Sequence, residues 1–487
     1  MSDGGRTGDG PTRHRSGHHV AVVGGGITGL AAAHRLLSAN DPPRVTVLEA
    51  SHDLGGKIRT TPFAGRPAVD EGADAFLARV PWAVELAREV GLGDQLVSPA
   101  TGHAAVWFDG LHPIPDGLLL GLPTGLGSLA RTRLLTWRGK ARAALEPLLP
   151  WTDLGADSLG SYVRARFGDE VHERLVDPLV GSIYATDTDR FSLAAVPQVA
   201  ALAAAHRSVL VGGRRRGRVG APAGPVFYAP SSGLGALVDA TASAVRRLGG
   251  EIVTGAEVEA IERADMGWRL HARGMDARGM DVDAVVLAAP AVAAAGLLAA
   301  GLAGLAELAD VARDLAAVEY ADVAIVTIAL APGALPRGLH DRSGYLVPKP
   351  AQHLVTAVSF GSQKWGHWAG ADGSAILRIS LGRDGLPVLH LDDAAIAATA
   401  LDEVGRHLGV ELQPTEVRVS RWRRAFPQYR PHHATRIADI EGRLTAGAPG
   451  IALAGASYHG IGVPACIRSG QEAADALLRR FDDGMRH

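Results

Sequence analysis

The residues with the clearest chemical use stand near the start of the chain. Gly24, Gly25, Gly26 and Gly29 follow a β-branched run (Val20, Val22, Val23) and lead into an Ala/Leu-rich stretch from Ile27 to Leu37. A second apolar run, Arg44 to Leu48, ends in Glu49 and Ala50. Strand, glycine turn, helix, strand and acid are together the parts of a dinucleotide-binding unit. Gly24 permits the tight turn, Gly26 lets the backbone approach a pyrophosphate, and Gly29 lets the helix pack on the strand. Ile27 and Thr28 open a helix whose amino end faces the anion. Glu49 stands where a carboxylate holds ribose hydroxyls. The alternative is an ordinary glycine-rich strand-to-helix turn.

The stretch LGGKIR, Leu54 to Arg59, chooses between cofactors. It resembles the second glycine motif of the flavin amine oxidase superfamily, in which the backbone bends over the pyrophosphate beside a basic residue. Here those positions are Gly56 and Lys57; the plainer reading is a hairpin turn with a solvated lysine. The resemblance implies FAD, held non-covalently. It also implies that Gly72, Ala73, Asp74 and Ala75 lie against the flavin and that the backbone of Val258 meets the adenine. Read from the residues alone, at least two of Asp70, Glu71 and Asp74 are solvated turn residues. Near the end, Gly450 to Leu478 gives strand, glycine turn and helix again, through Gly455, Ile461 and Gly462. From about Val463 that helix points its amino end at the flavin ring, where its dipole stabilises negative charge at N1 and O2.

The whole chain sets limits. Its 487 residues suit two or three intertwined domains, and 47% hydrophobic against 21% charged residues can bury a large core. A net charge of -2 supplies no basic footprint for nucleic acid. The single cysteine, Cys466, excludes an internal disulfide and cysteine-based metal clusters, and fits a reducing compartment. Residues 1–18 are rich in Gly, Arg, His and Ser without an apolar core, so they read as a disordered tail and not a secretion signal. Ala284 to Ala306 is uncharged and long enough to span a bilayer. Its β-branched start stops at Pro290 and an Ala-rich helix follows, which reads as strand then helix. The expectation is a cytoplasmic protein, soluble or peripheral at a membrane.

The remaining elements follow from pattern. A helix is expected over Pro81–Val90, and a hairpin over Ala105–Ile114 with Asp109-Gly110 as its turn. Pro115 to about Leu210 reads as helical, with a Leu/Trp face beside arginines that can lie on a membrane surface, line an apolar channel or be core. Arg214, Arg215, Arg216 and Arg218 read as a solvated loop, with anionic lipid or substrate carboxylates as the alternative. Phe227–Leu237 opens a helix, Glu251–Ile261 is a strand pair and Val285–Pro290 a central strand. Ala291 to Ile437 alternates helix and strand. The fold class is therefore α/β: a discontinuous Rossmann-like FAD-binding domain (19–95, 228–296, 440–482), an inserted mixed-sheet substrate domain (96–114, 297–439) and a helical insertion (115–227).

Five ordered stretches carry a more specific resemblance. GSIYATDTDRFSLAAVPQ (Gly181–Gln198), SGYLVPK (Ser343–Lys349), FGSQKWGH (Phe360–His367), RWRRAFPQYRPHH (Arg421–His433) and AGASYHGIGVPACIRSG (Ala454–Gly470) together resemble the porphyrinogen oxidases of haem synthesis. The likeness runs from His19 onward and is strongest to the soluble bacterial branch, which takes coproporphyrinogen III to coproporphyrin III. Its membrane-bound relatives act on protoporphyrinogen IX. Two positions depart from the family pattern: Ala465 stands where an acidic residue usually precedes the cysteine, and His432 where a glycine usually precedes the histidine.

The resemblance implies molecular oxygen as acceptor, hydrogen peroxide as by-product and three hydride transfers to flavin N5. It leaves room for a homodimer and for hand-over of product to a ferrochelatase. A docked porphyrinogen needs an apolar slot with cations at its rim for propionates. Arg79, Arg421, Arg423, Arg424, Arg430 and Lys349 are candidates, with Gly344 and Tyr345 beside Lys349 on the substrate side. Trp422 matches a family tryptophan near the flavin, or is a core aromatic. Cys466 reads as a buried structural thiol. No catalytic dyad and no metal site is expected. The rivals are an amine oxidase, a carotenoid-type desaturase and a non-catalytic FAD-binding scaffold.

Overall fold

The β-branched runs near the start of the chain fold side by side. In a computed structural model that describes residues 17–152, 157–217, 224–274, 278–301 and 306–484, they belong to a five-stranded sheet. Its order is Glu251–Thr254, Arg44–Glu49, His19–Val23, Ala284–Leu287, Ile451–Leu453, and all pairings are parallel. Parallel strands covered on both faces need continuous apolar runs, and Val20, Ala21, Val22, Val285, Val286 and Leu287 are fully buried. The chain adds strands on one side of His19–Val23 and later returns to the other side. A crevice therefore opens past Val23 and Leu287, where the strand order reverses.

The first helix, Ile27–Leu37, starts directly from the glycine turn. Alanine and leucine favour the helix, and the short side chains of Ala31, Ala32 and Ala33 let its neighbours come close on both sides. One neighbour is the sheet; the other is the last helix, Val463–Gly484. They cross at Gly470, where a Cβ would stand 2.2 Å from the carbonyl oxygen of Thr28.

A second, seven-stranded sheet runs Pro414–Pro427, Tyr320–Leu330, Ala375–Leu381, Val355–Ser359, Gly344–Leu346, Ala104–Trp107, Leu111–Pro113. It is mixed, because Gly344–Leu346 and Ala104–Trp107 pair in parallel while their neighbours are antiparallel. One face, with Ala324, Val326 and Ile328, packs on the helix Asp393–Leu408 through Ile396, Ala400 and Val404. The other face of its long edge strand presents Arg418, Ser420 and Trp422 to residues 61–71. The expected hairpin is present, and Asp109 and Gly110 both take positive φ at its tip.

Between the strands Leu111–Pro113 and Phe227–Pro230 in sequence lies a layer of short helices. It opens with a small antiparallel pair, Leu118–Leu119 with Leu122–Pro123, where helix was expected from Pro115. Arg214 is not in a loop, as its glycine-rich surroundings suggest, but on the helix Val209–Gly217, with Arg215 and Arg216; Arg218 lies outside the described residues. The reason is a cap from far along the chain. The buried Glu146 carboxylate accepts from Val209 N (2.9 Å), Leu210 N (3.2 Å) and Ser208 Oγ (2.6 Å), and is paired with the buried Arg166. A carboxylate at the amino end and arginines at the other end both suit the helix dipole.

The strand pair expected over Glu251–Ile261 divides at Gly255, which has positive φ. Glu251–Thr254 joins the parallel sheet, while Val258–Arg263 starts a separate three-stranded sheet with Trp268–Ala272 and Met280–Val282. The uncharged run folds as strand Ala284–Leu287 and helix Ala291–Gly301. No helix among the described residues is long and apolar enough to cross a membrane.

The close crossing predicts a sharp effect of one methyl group. Gly470→Ala is expected to push the last helix off the first, lowering stability in chemical denaturation by about 1–3 kcal/mol. Flavin content should fall with it, because both helix ends border the crevice.

Candidate functional site

The glycine turn and LGGKIR form one layered structure at the mouth of the crevice. Gly25 and Gly55 are joined by a backbone hydrogen bond of 3.0 Å, and Gly26 bridges Gly55. Glu49 is oriented from both sides: Oε2 accepts from Gly25 N (2.7 Å), Oε1 from Ser51 N (2.9 Å) and Ser51 Oγ (2.8 Å). Ala50 is exposed beside it.

These residues fit a bound dinucleotide. A Cβ on Gly26 would meet only Gly55 O, at 3.9 Å, so packing within the protein does not demand glycine there. Close approach of a diphosphate does. No side chain caps the first helix, which leaves its leading N–H groups free for an anion. Lys57, from the second glycine motif, completes the donor set. The residue is exposed, yet the surrounding protein desolvates its amine and pulls it down to about 8. The amine lies 5.6 Å from the centre of the Tyr320 ring.

Across Tyr320 from Lys57 stands the loop 455–462 ahead of the last helix. Ser457 Oγ shares a hydrogen bond with the Tyr320 hydroxyl (2.8 Å), which also accepts from Ala291 N at 2.9 Å. Gly462 and Ile461 are accessible, Val463 is buried, and Gly455 N donates to Ser469 Oγ. Cys466 is buried against Gly460 O and Ile461 O, and burial pushes its thiol up to about 11. It is the structural thiol expected. Val258 is buried in its strand beside a bulge.

Residues 70–74 correct the expectation most clearly: Asp70 and Glu71 are buried, and Asp74 is nearly so. Asp70 Oδ1 accepts from Thr60 Oγ1 and from Leu234 N (2.9 Å), and burial raises this carboxyl to about 6. Glu71 accepts from Thr61 Oγ1 (2.9 Å) and Ser420 Oγ (2.8 Å), and its carbonyl from Trp422 Nε1 (3.1 Å). Gly72 O accepts from Arg378. Burial works against the charge of Asp74, but Lys364 and Arg378 outweigh it and hold the carboxyl well below the usual range. These turn residues are not solvated because partners distant in sequence reach them: Leu234 meets Asp70, and Ser420, Arg378 and Lys364 meet Glu71 and Asp74. Ala73 remains exposed and Ala75 half-buried.

The cation rim is smaller than the sequence suggests. Lys349 is bound by Asp187 (2.7 Å) and Asp189 (2.9 Å), Arg421 by Asp393 and two carbonyls, and Arg430 by Asp384 and Glu319. Tyr345 turns its hydroxyl to His407 inside the second sheet's own core, so it cannot contact a ligand, and Gly344 is buried in the same strand. Arg79, Arg423 and Arg424 are exposed, with no carboxylate partner among the described residues. Arg424 has φ 46°, unusual for a side-chain-bearing residue, held by its N–H on Asp322 Oδ1 at 2.6 Å. It lies close enough to Tyr320 to influence its hydroxyl.

Trp422 is buried, with Arg59 over its ring at 5.1 Å. Beside it, Ala185, Ala321, Val323 and Ala425 form a low apolar wall. Sequence reading missed Arg59, Tyr320, Ser457 and Arg378. Arg59 and Ser457 had a signal, their places in LGGKIR and in AGASYHGIGVPACIRSG. A cavity of about 1160 Å³ lies along the edge strand Ile451–Leu453 and past His18 and Asp283; His459 and Ser469 of the last motif reach it, whereas Lys57, Tyr320, Trp422 and Arg424 do not line it.

Comparison with known proteins agrees with this arrangement. Residues 27–478 match the family described as flavin containing amine oxidoreductase. Coproporphyrinogen III oxidase of Bacillus subtilis is 33% identical, over 95% of this chain and 98% of its own. The enzyme of that name from Mycobacterium tuberculosis is 35% identical, over 95% and 97%. A crystal structure from Exiguobacterium described as a protoporphyrinogen oxidase superposes with a TM-score of 0.82 at 31% identity, covering 96% of this chain and 99% of that one.

Lys57 gives the site a testable pH dependence. Above about 8 its amine loses the proton, so FAD affinity of the apoprotein should fall as pH rises through that value. Stability moves the other way: between about 8 and the ordinary 10.5 the unfolded chain binds the proton and the folded one does not, so stability rises with pH. Lys57→Gln should flatten the affinity profile and bind FAD about tenfold more weakly at pH 7, the loss of one charge-assisted hydrogen bond. Fluorescence titration with FAD measures both.

Proposed function

The chain belongs to the flavin-containing amine oxidoreductases and, within them, to the coproporphyrinogen III oxidases; from that premise we propose how its own residues serve the reaction. The protein is an FAD-dependent oxidase. Its substrate in this reading is coproporphyrinogen III and its product coproporphyrin III, with oxygen as the final acceptor and hydrogen peroxide released. Protoporphyrinogen IX is the alternative substrate.

When bound, FAD supplies a two-electron acceptor. A porphyrinogen has sp³ carbon bridges between pyrroles, and loss of hydride from a bridge leaves a cation stabilised by pyrrole nitrogen. That cation is acidic at N–H, so no strong base is required of the protein. The protein's task is to dock a flat, carboxylated ring, dry and oriented. The observation that carries this reading is the end of strand Pro414–Pro427. There Trp422 and the low apolar wall adjoin Arg424, a guanidinium with no carboxylate partner among the described residues and near Tyr320, whose ring in turn faces Lys57. Arg424, Arg423 and Arg79 are the groups we assign to substrate propionates, in place of Lys349 and Tyr345. Gly26, Gly56, Lys57, Glu49 and the amino end of the last helix are assigned to the cofactor.

The test is porphyrin fluorescence appearing in air from the purified yellow protein, with coproporphyrinogen III and protoporphyrinogen IX in parallel. Faster turnover of the four-propionate substrate is expected, and preference for the other would overturn the assignment. Arg424→Ala should raise KM for coproporphyrinogen III about tenfold, the loss of one charged hydrogen bond, with a smaller change in kcat.

We also place a peripheral membrane contact on the helical layer. The helix Trp137–Ala144 and the turn after it expose Trp137 (73%), Leu145 (51%), Leu148 (77%) and Trp151 (54%). Arg131, Arg133 and Arg138 are exposed on or just before this helix, and Asp169 is an exposed acid beside it. Aromatic and leucine side chains rimmed by arginine suit an anionic lipid surface. Trp137→Asp with Leu148→Asp should abolish co-sedimentation with phosphatidylglycerol vesicles while turnover in solution stays unchanged.

A further inference from the structure

The loop 455–462 carries the amino end of the last helix, and two of its three glycines, Gly455 and Gly460, have φ near 130°. Such a loop has many conformations available and needs to be fixed from outside. Three of its ties are short-range: Gly455 N to Ser469 Oγ (3.0 Å), Cys466 N to Gly462 O (2.9 Å) and the Cys466 thiol on Gly460 O and Ile461 O. The strongest external tie comes from Tyr429. Its hydroxyl donates to Ala456 O and accepts from Gly460 N at 2.8 Å, so one oxygen spans the loop.

Tyr429 is itself held tightly. Its ring stacks on His433 (4.2 Å between centroids, 14° between planes) and runs parallel to Phe191 at 6.1 Å. Its carbonyl accepts from Ser192 N at 2.8 Å. Phe191 and Ser192 belong to the helical layer, and Ile461 of the loop packs against that layer's core. Burial keeps the Tyr429 hydroxyl protonated at any working pH, so it remains a donor. A single side chain thus joins the helical layer, the end of the strand bearing Trp422 and Arg424, and the loop ahead of the last helix.

We propose that Tyr429 is a positioning residue. By spanning Ala456 and Gly460 it fixes the amino end of the last helix against the flavin, and it passes shifts of the helical layer to that helix end. The proposal rests on the reading that the flavin ring lies before this helix. A helix end aimed at N1 and O2 favours the reduced, negatively charged cofactor, so loosening it weakens that preference.

The experiment compares two buried tyrosines. Tyr429→Phe removes the spanning hydroxyl and keeps the stacked ring. Tyr345→Phe removes the hydroxyl bonded to His407, away from the cavity, and serves as the control for loss of a buried hydroxyl. Both should fold, as denaturation midpoints will show. Tyr429→Phe is expected to hold FAD with an altered visible spectrum and a preference for the reduced cofactor about tenfold weaker. For a two-electron couple that is a midpoint potential lower by about 30 mV. Its kcat should fall several-fold with KM little changed, while Tyr345→Phe moves neither potential nor spectrum. A wild-type potential and spectrum in Tyr429→Phe, or an equal shift in Tyr345→Phe, would overturn the proposal. Failure of the wild-type protein to retain FAD would instead overturn the reading beneath it.

Discussion

The molecule depends on a polar seam only five residues long. From Asp70 to Asp74 every residue except Ala73 reaches across to another part of the chain. Asp70 ties the start of the helix Gly235–Arg247, Glu71 receives the edge strand of the second sheet, Gly72 accepts from Arg378, and Asp74 closes on Lys364, Arg378 and Trp365. Buried charges of this kind are costly when unpaired, and removing one partner typically costs about 3–5 kcal/mol. That asymmetry makes the seam a constraint on geometry. The two sheets hold their relation because any other relation strands a carboxylate.

The consequence for chemistry is a division between backbone and side chain. The cofactor side is built from glycines, helix ends and one oriented acid, which need little from side chains and tolerate no extra ones. A Cβ on Gly24 would come within 2.6 Å of Ala288 O, and one on Gly72 within 2.8 Å of Lys57 O. In the proposed reading the substrate side is built from side chains on one strand end, where Trp422 gives a flat wall and Arg424 a charge with no carboxylate partner among the described residues. The seam joins the two through Gly72 and Trp422, so cofactor plane and substrate wall are set by the same contacts.

Local chemistry was legible in the sequence and long-range partnership was not. The unit from His19 to Glu49 could be read because strand, turn, helix and acid follow one another within one stretch, each with its own spacing rule. The strand and helix after Ala284 yielded to the same logic, because Pro290 marks the break. Lys349 and Arg430 look like free cations in sequence, and only the fold brings Asp187, Asp189 and Asp384 to them. Glu146 capping a helix sixty-odd residues later has no local sign, which is why Arg214 reads as loop. Tyr345 sits in a recognisable motif yet faces the core, since motif membership does not say which side of a strand a residue takes.

The parallel sheet also sets a timetable. Its central strand is made more than 400 residues before the edge strand Ile451–Leu453 and the helix Val463–Gly484. Arg35 on the first helix pairs with Asp475 on the last across 440 residues. At translation speeds of about 5–20 residues per second, that gap lasts on the order of half a minute. During it the glycine turn exists without the helix that should cover it, and contacts of such high sequence separation form slowly in any case. The nascent chain therefore spends that interval with the face of the first helix that the later one covers still open to other contacts.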